Sequence, residues 1–463
     1  MQDGFLRAAA ASIPVAVADP RRNAAAICAR IDQAHRAHAA LLVLPELCVT
    51  GYTCGGLFLS ALLLDAAEEA LMNICAHTQN RAPIVVLGVP LRAGGKLYNC
   101  AAVLHRGRIL GVVPKTWLPN YDVFAEKRCF ASAAAYSGPG CVPVGGQDVP
   151  FGTGLVFACA QMPSFRLGVE LCEDVWAPVP PSVRLCLAGA TVIANCSASP
   201  EAAGKPAHRR TLLRAASARG LCGYVYANAG PDESTAHAVF SAHHLIAENG
   251  TILAEHAPFA PESGLLMTEL DLLTLTAERR RNTTFVPEGE GVRAVTFSMP
   301  LRPTPLAAAD FTALLLGEAV CAPDAYGVNA AVPRTLVRWL IAAEAERAEE
   351  PLRTELRAAL SAPDADCAGV SCALTDFCFY HLVRCGAHPR RILRLARAAF
   401  GGAAADADIL RAMAALTCCL FQRPAALPDH VTLGSGAQAL RWPPDAAGSL
   451  WLDEIDALRR ELP

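Results

Sequence analysis

The sequence predicts an α/β fold over residues 1–290 and a smaller, mainly helical region over 312–463, on three observations. From the N-terminus to about residue 290, apolar runs of strand length alternate with stretches of helical periodicity. The run Ala39–Leu44 is apolar on both faces, as suits a central strand covered by a layer on each side. Beyond residue 311 helical spacing dominates, over Val332–Arg347, Leu374–Arg384 and Pro389–Phe400.

Taken in order, Ser12–Val17 reads as the first strand, and Asp19-Pro20 opens a helix with apolar Ala24, Ile27, Ile31 and Ala34 at helical spacing. Ala39–Leu44 ends on Pro45-Glu46, so a carboxylate stands just past a strand end, where sheets of this class place their chemistry. A helix from about Leu59 to Cys75 leads into a strand over Pro83–Val89. Ala101–Leu104, the turn Arg106-Gly107-Arg108 and Ile109–Val113 read as a β-hairpin that delivers Pro114-Lys115 at its far end. Leu167–Leu171 is an apolar strand that stops on Cys172, followed by Glu173-Asp174, before Trp176-Ala177-Pro178 turns into a helix. A cysteine at such an elbow faces a cleft, and neighbouring backbone N–H groups can hold a developing oxyanion. Singly, each residue has a plain structural reading too: Glu46 as a turn acid, Lys115 as a solvated strand end, Cys172 as a buried cysteine.

Composition narrows the class. With 463 residues, 53% of them hydrophobic, the chain can bury a large core and divide into two or three domains. A formal net charge of -3 gives no electrostatic basis for nucleic-acid or membrane binding. Met1–Arg7 carries no long apolar stretch, and no run reaches the roughly 18 residues of a membrane span, so a cytoplasmic protein is expected. The 19 cysteines are scattered, odd in number and never three apart, which argues against zinc ribbons and redox pairs. The histidine pairs His35/His38 and His243/His244 lack acidic or cysteine partners at metal-ligand spacing, and no metal is expected.

A glutamate, a lysine and a cysteine, each just beyond a strand end, are what amide hydrolysis through a thioester needs. Glu46 would take the thiol proton and pass it to the leaving ammonia. Lys115 would lower the thiol pKa and stabilise the oxyanion, and Cys172 would carry the acyl group. The stretches Leu44–Tyr52, Pro114–Tyr121 and Gly168–Trp176 resemble the three motifs of the nitrilase (carbon–nitrogen hydrolase) superfamily. More narrowly, residues 4–290 resemble the glutaminase domain of bacterial glutamine-dependent NAD+ synthetases, with supporting runs such as Glu126–Phe130, Asn195–Pro200, Gly204-Lys205, Tyr224–Asn228 and Asp232–Thr235. The resemblance implies an α-β-β-α sandwich, two mixed sheets packed face to face with helices outside. It implies the roles above for Glu46, Lys115 and Cys172, makes Glu126 the second glutamate that orients the lysine, and places Tyr121, Glu173, Trp176 and Ser199 around a glutamine substrate.

The resemblance breaks after residue 290. The family's second domain uses ATP and Mg2+ and a Ser-Gly-Gly-x-Asp-Ser phosphate loop, whose glycines let backbone N–H groups approach a pyrophosphate. Ser137-Gly138, Ser263-Gly264 and Ser435-Gly436 are the Ser-Gly pairs of this sequence, and none continues into that loop. Tyr326–Arg338, Asp376–Arg384 and Arg441–Asp445 still resemble the end of a synthetase domain, so residues 291–311 read as a linker at a deletion junction and 312–463 as a shortened remnant. The expected function is a glutamine amidohydrolase that needs no cofactor of its own. A separate or full-length NAD+ synthetase, within a homo- or hetero-oligomer, would supply the ATP-dependent step. The alternatives are a non-catalytic assembly subunit of such an oligomer and a stand-alone amidase acting on another amide.

Overall fold

The computed structural model describes residues 4–260, 264–301, 334–350, 352–361, 370–421 and 449–461. The chain forms two compact units, Met1–Thr304 and Pro305–Pro463. The first unit therefore runs past the boundary expected at residue 290, and a strand, Arg293–Phe297, lies inside the span read as a linker.

Two sheets make up the first unit. One contains β1 (Phe5–Ala10), β2 (Leu41–Val43), β3 (Ile84–Ala93), β4 (Lys96–His105), β5 (Arg108–Pro114) and β14 (Leu266–Asp271), in the order β14-β1-β2-β3-β4-β5. A small hairpin, β6 (Cys141–Val144) with β7 (Gln147–Pro150), stands apart. The second sheet contains β8 (Leu155–Cys159), β9 (Arg166–Leu171), β10 (Val192–Ser197), β11 (Gly223–Asn228), β12 (Leu245–Glu248), β13 (Thr251–Glu255) and β15 (Arg293–Phe297), in the order β13-β12-β11-β10-β9-β8-β15. Both sheets mix parallel and antiparallel pairs. Side chains of β1, β2 and β3 (Leu6, Ala8, Val43, Val86) share one buried core with those of β8, β9 and β10 (Phe157, Leu167, Val169, Ala194). The sheets thus pack face to face.

Helices cover the outer faces. α1 (Pro20–Arg36) begins where expected, with Asp19 accepting from the Arg22 N–H, and buries Ala24, Ile27, Ile31 and Ala34. With α2 (Ala61–His77) it packs on the outside of the first sheet. α3 (Pro181–Leu187) and α4 (Lys205–Gly220) cover the second, and α5 (Leu272–Arg281) follows β14. This is the α-β-β-α sandwich.

The strand expected at Ser12–Val17 is not there; β1 lies earlier, at Phe5–Ala10. Pro14 has no N–H for a ladder. The Asn23 side chain instead holds the segment as a loop, accepting from the Ala16 N–H at 2.8 Å and donating to the Ala16 carbonyl at 2.9 Å. The expected hairpin is β4–β5, longer than its apolar centre.

In the second unit every described element is a helix: α6 (Arg334–Arg347), α7 (Leu352–Ser361), α8 (Cys372–Phe379), α9 (Pro389–Phe400), α10 (Asp406–Phe421) and α11 (Ser449–Glu461). α8 continues into a wider turn over Tyr380–Arg384, so the helix expected at Leu374–Arg384 is present but changes pitch. Leu374, Phe377, Ile392, Leu395, Leu410, Met413 and Ile455 are buried there. The segments 326–333, 362–369 and 441–445, and residues 302–311 of the expected junction, lie outside the described residues. No described helix is long and apolar enough to cross a membrane.

Candidate active site

Three chain turns converge at one edge of the sandwich. Glu46 follows β2 and Lys115 follows β5, both from the first sheet, whereas Cys172 follows β9 of the second. All three are buried, Glu46 and Lys115 completely. The turn after β2 is set by a close approach. Gly88 of β3 faces the Glu46 backbone, its N–H donating to the Pro45 carbonyl at 3.0 Å and its own carbonyl accepting from the Val49 N–H at 3.3 Å. A Cβ on residue 88 would stand 2.1 Å from the Leu47 nitrogen and 2.5 Å from Glu46 Cα. Only glycine fits. Cys172 opens a short 3-10 turn, Cys172–Trp176, with φ 39, a left-handed conformation that L-residues rarely adopt.

The lysine ammonium is the hub. Lys115 Nζ donates to Glu46 Oε1 at 2.6 Å and to Glu126 Oε1 at 2.7 Å. Burial alone would lower its pKa; Glu126 and Glu46 outweigh that and hold it well above its ordinary value. Asn99 of β4 donates to Glu46 Oε1 at 2.7 Å, the Ala198 N–H donates to Glu46 Oε2 at 2.9 Å, and Tyr52 donates to Glu126 Oε1 at 2.9 Å. Burial, despite the pull of Lys115, raises the Glu126 carboxyl. Charge-assisted bonds of this length in a dry setting fix geometry tightly.

Cys172 lies within electrostatic reach of Glu46, Lys115 and Glu126. The thiol pKa is not lowered, as expected from Lys115, but raised. Burial, and after it the charge of Glu46, push the thiol well above its ordinary value, and the opposing pull of Lys115 is too small to reverse them. One cation shared between two carboxylates has little positive field left over. The Cys172 N–H is also committed elsewhere than to an oxyanion: it donates to Asn195 Oδ1 at 3.1 Å. Asn195 in turn donates to the Tyr224 hydroxyl at 3.0 Å, and Tyr224 donates to the buried Glu170.

The remaining expected residues lie on the turns that follow β5, β9 and β10. Tyr121 donates to Glu173 Oε1 at 2.7 Å. Trp176 packs edge-on to His208 and carries the Lys205 ammonium 5.3 Å from its ring centroid, and the same ammonium lies 6.0 Å from Phe124. Ser199 is buried, with its N–H donating to Asn228 Oδ1 at 2.8 Å and its hydroxyl accepting from Arg209 at 3.3 Å.

Several supports escaped the sequence reading. Glu233 accepts from the Tyr52 N–H at 2.7 Å and the Thr53 hydroxyl at 2.6 Å, and so aims Tyr52 at Glu126. Asp174 accepts from the Thr116 and Trp117 N–H groups at 3.1 and 2.8 Å. Burial, and then Glu170, push its carboxyl up to about 8. Asn99 has no signal in its strand, but Lys205, Asp174 and Glu233 sit inside runs that already resembled the family. No group of three or more His, Cys, Asp and Glu that could hold a metal ion occurs among the described residues.

The arrangement has counterparts. Residues 7–280 match the model of the carbon-nitrogen hydrolase family. Glutamine-dependent NAD(+) synthetases of Mycobacterium bovis and Mycobacterium tuberculosis are 43% identical over 284 residues, covering 61% of this chain and 42% of theirs. That of Mycobacterium leprae is 40% identical over 282 residues, covering 61% and 41%. Among solved structures, a glutamine-dependent NAD(+) synthetase from Cytophaga hutchinsonii superposes with a TM-score of 0.50 at 27% identity, over 60% of this chain and 47% of that one. The match thus spans less than half of each relative's length. With most of the first unit covered by the family model and its glutamate, lysine and cysteine brought together in one buried cluster, this chain belongs to the carbon-nitrogen hydrolase family.

Proposed function

We propose that the chain is a glutamine amidohydrolase of the NAD+ synthetase type, releasing ammonia through a thioester on Cys172. The observation that carries this reading is the buried Glu46–Lys115–Glu126 cluster beside Cys172, whose thiol burial pushes well above its ordinary value. A neutral thiol is a weak nucleophile, so attack on the carboxamide must be accompanied by proton transfer from sulfur to Glu46. Two of the three Lys115 N–H groups are engaged by carboxylates, and the third supplies the oxyanion donor. Glu46 then protonates the departing nitrogen, ammonia leaves, and the acyl group stays on sulfur. In the second half a water loses its proton to Glu46 and attacks the thioester; the sulfur leaves, recovers a proton, and glutamate is released.

The mouth supports an amino-acid substrate over a plain amide. Lys205 is a cation held over Trp176 and Phe124 with a carboxylate as its natural ligand, and Glu173 with Tyr121 and Ser199 suits an α-ammonium. The stem of glutamine would lie between, with its carboxamide at Cys172.

The sequence holds no Ser-Gly-Gly-x-Asp-Ser loop, and this supports placing ATP and Mg2+ on another chain. The described residues of the second unit form helices alone, without the strand, glycine turn and helix that cradle phosphates. The ammonia is therefore assigned to a partner, a separate or full-length NAD+ synthetase in an oligomer with this chain. Cys48, Cys100, Cys172 and Cys196 are buried outside any disulfide, as suits a reducing cytoplasm. The test is ammonia release from glutamine by the purified 463-residue chain, and NAD+ formation from nicotinic acid adenine dinucleotide with ATP and free ammonia. Release without NAD+ formation is expected. No release from glutamine refutes the amidohydrolase, and ammonia-dependent NAD+ formation refutes the assignment of that step to a partner.

A further inference from the structure

Lys115 and Cys172 come from opposite sheets, so no strand ladder sets the distance between them. One buried side chain touches both turns. Asp174 Oδ1 accepts from the N–H groups of Trp117 at 2.8 Å and Thr116 at 3.1 Å, the two residues that follow Lys115. Its Oδ2 accepts from the N–H of Leu171, the residue before Cys172, at 3.1 Å. The Leu171 donor closes β9 and would otherwise be buried without a partner, and the other two lie just past the end of β5. Asp174 lies within the same 3-10 turn as Cys172 and is itself buried, so it cannot swing to solvent.

The bond to Leu171 also closes the chain around the nucleophile. Cys172 holds φ 39, a strained backbone that persists where its surroundings over-determine it. The Leu171 N–H on one side and the Cys172 N–H, bound to Asn195, on the other leave that peptide little freedom. Glu126 and Glu46 fix the lysine's tip; the two oxygens of the Asp174 carboxyl group, both accepting, fix the turn from which the lysine departs.

We propose that Asp174 is a positioning residue that locks the Lys115 turn to the Cys172 elbow, so that oxyanion donor and nucleophile keep their register through acylation and deacylation. The inference rests on the amidohydrolase reading above. Asparagine has the same shape but one acceptor oxygen, and its NH2 group must oppose one of the N–H donors. Asp174→Asn should therefore open the strut at one end without emptying the space. Glutamine's amino-acid end is held by other residues, so affinity should be spared while turnover is lost.

The experiment compares the full wild-type chain with Asp174→Asn and Asp174→Glu. Three quantities are read: steady-state ammonia release, thermal melting, and labelling at Cys172 by two reagents, followed by peptide mass. A diazoketone analogue of glutamine needs lysine and cysteine in register; methyl methanethiosulfonate needs only a reachable thiol. For Asp174→Asn we expect kcat to fall by about tenfold to a hundredfold, the size of an ångström-scale misplacement, with KM within about threefold. Diazoketone labelling should slow with kcat while methyl methanethiosulfonate labelling holds. Wild-type kcat in Asp174→Asn overturns the proposal, as does a loss in which KM rises and both labelling rates shift together. If Asp174→Asn does not fold, Asp174→Glu, which keeps the carboxyl group one methylene out of place, must show the same split between reagents. A wild type that releases no ammonia from glutamine refutes the amidohydrolase and this inference with it. An active wild type with an unimpaired Asp174→Asn refutes this inference alone.

Discussion

Gly88→Ala places a single methyl group against Glu46, the proposed base, from behind. The new Cβ would stand 2.1 Å from the Leu47 nitrogen and 2.5 Å from both the carbonyl carbon and Cα of Glu46. Those are main-chain atoms, so no rotamer change relieves the clash. Ordinary contact starts at 3.4 Å, and the Glu46–Leu47 segment must retreat by more than an ångström to reach it. That retreat breaks the 2.6 Å bond to Lys115 and the 2.9 Å bond from the Ala198 N–H, and moves the base away from the sulfur. Misplacement on this scale corresponds to about a hundredfold in kcat. Overpacking adds about 1–3 kcal/mol of destabilisation. Ammonia release measured with thermal melting separates the two effects. A Gly88→Ala enzyme with wild-type kcat would show that the close approach of β3 does not set the base, and would refute the reasoning.

Three further outcomes are expected. Cys172→Ala should abolish ammonia release from glutamine, by several orders of magnitude, with the melting temperature kept; residual turnover in the pure variant would exclude the thioester. Because the Cys172 thiol is raised well above its ordinary value, labelling of Cys172 by a neutral thiol reagent should climb with pH through 7–10 without a plateau; a plateau near neutrality would mean a resting thiolate. His244 is buried, and burial depresses it from 6.5 to about 3. The unfolded chain therefore takes up a proton that the folded chain refuses, so this residue's contribution is intact above 6.5 and is lost as pH falls toward 3. Denaturant unfolding across that window should show a shallower pH dependence for His244→Asn than for wild type.

What was legible in the sequence was whatever leaves a mark on a single segment. Helix α1 announces itself through Asp19-Pro20 and four spaced apolar residues, and the β4–β5 hairpin through Arg106-Gly107-Arg108. Glu46, Lys115 and Cys172 were readable because each follows an apolar strand. What joins them was not readable. Asn99 is a polar residue within a strand, and only the register of β4 places it on Glu46. The direction of the Cys172 shift was also hidden: burial and then Glu46 raise the thiol, and Lys115, counted alone as a neighbour, shares its ammonium with Glu46 and Glu126. The first strand was misplaced because Phe5–Ala10 is rich in alanine, a weak strand former, whereas Ser12–Val17 has the stronger apolar residues but also Pro14.

The division of the catalytic groups between two sheets makes the reaction a gauge of the sandwich itself. On the proposed mechanism the first sheet carries the base Glu46 and the cation Lys115, the second the thiol of Cys172, and neither half would turn over alone. Core residues between the sheets, such as Phe157 and Val86, lie in the shared core, and the spacing they maintain is the spacing across which the proposed mechanism passes a proton from the Cys172 sulfur to Glu46. A bound acyl group, tied to sulfur on one side and to Lys115 on the other, would act as a temporary rivet between the layers. Any ligand that engages only the closed arrangement stabilises it by mass action. Turnover would then decay with the docking of the layers, ahead of the loss of helix content in the outer shell.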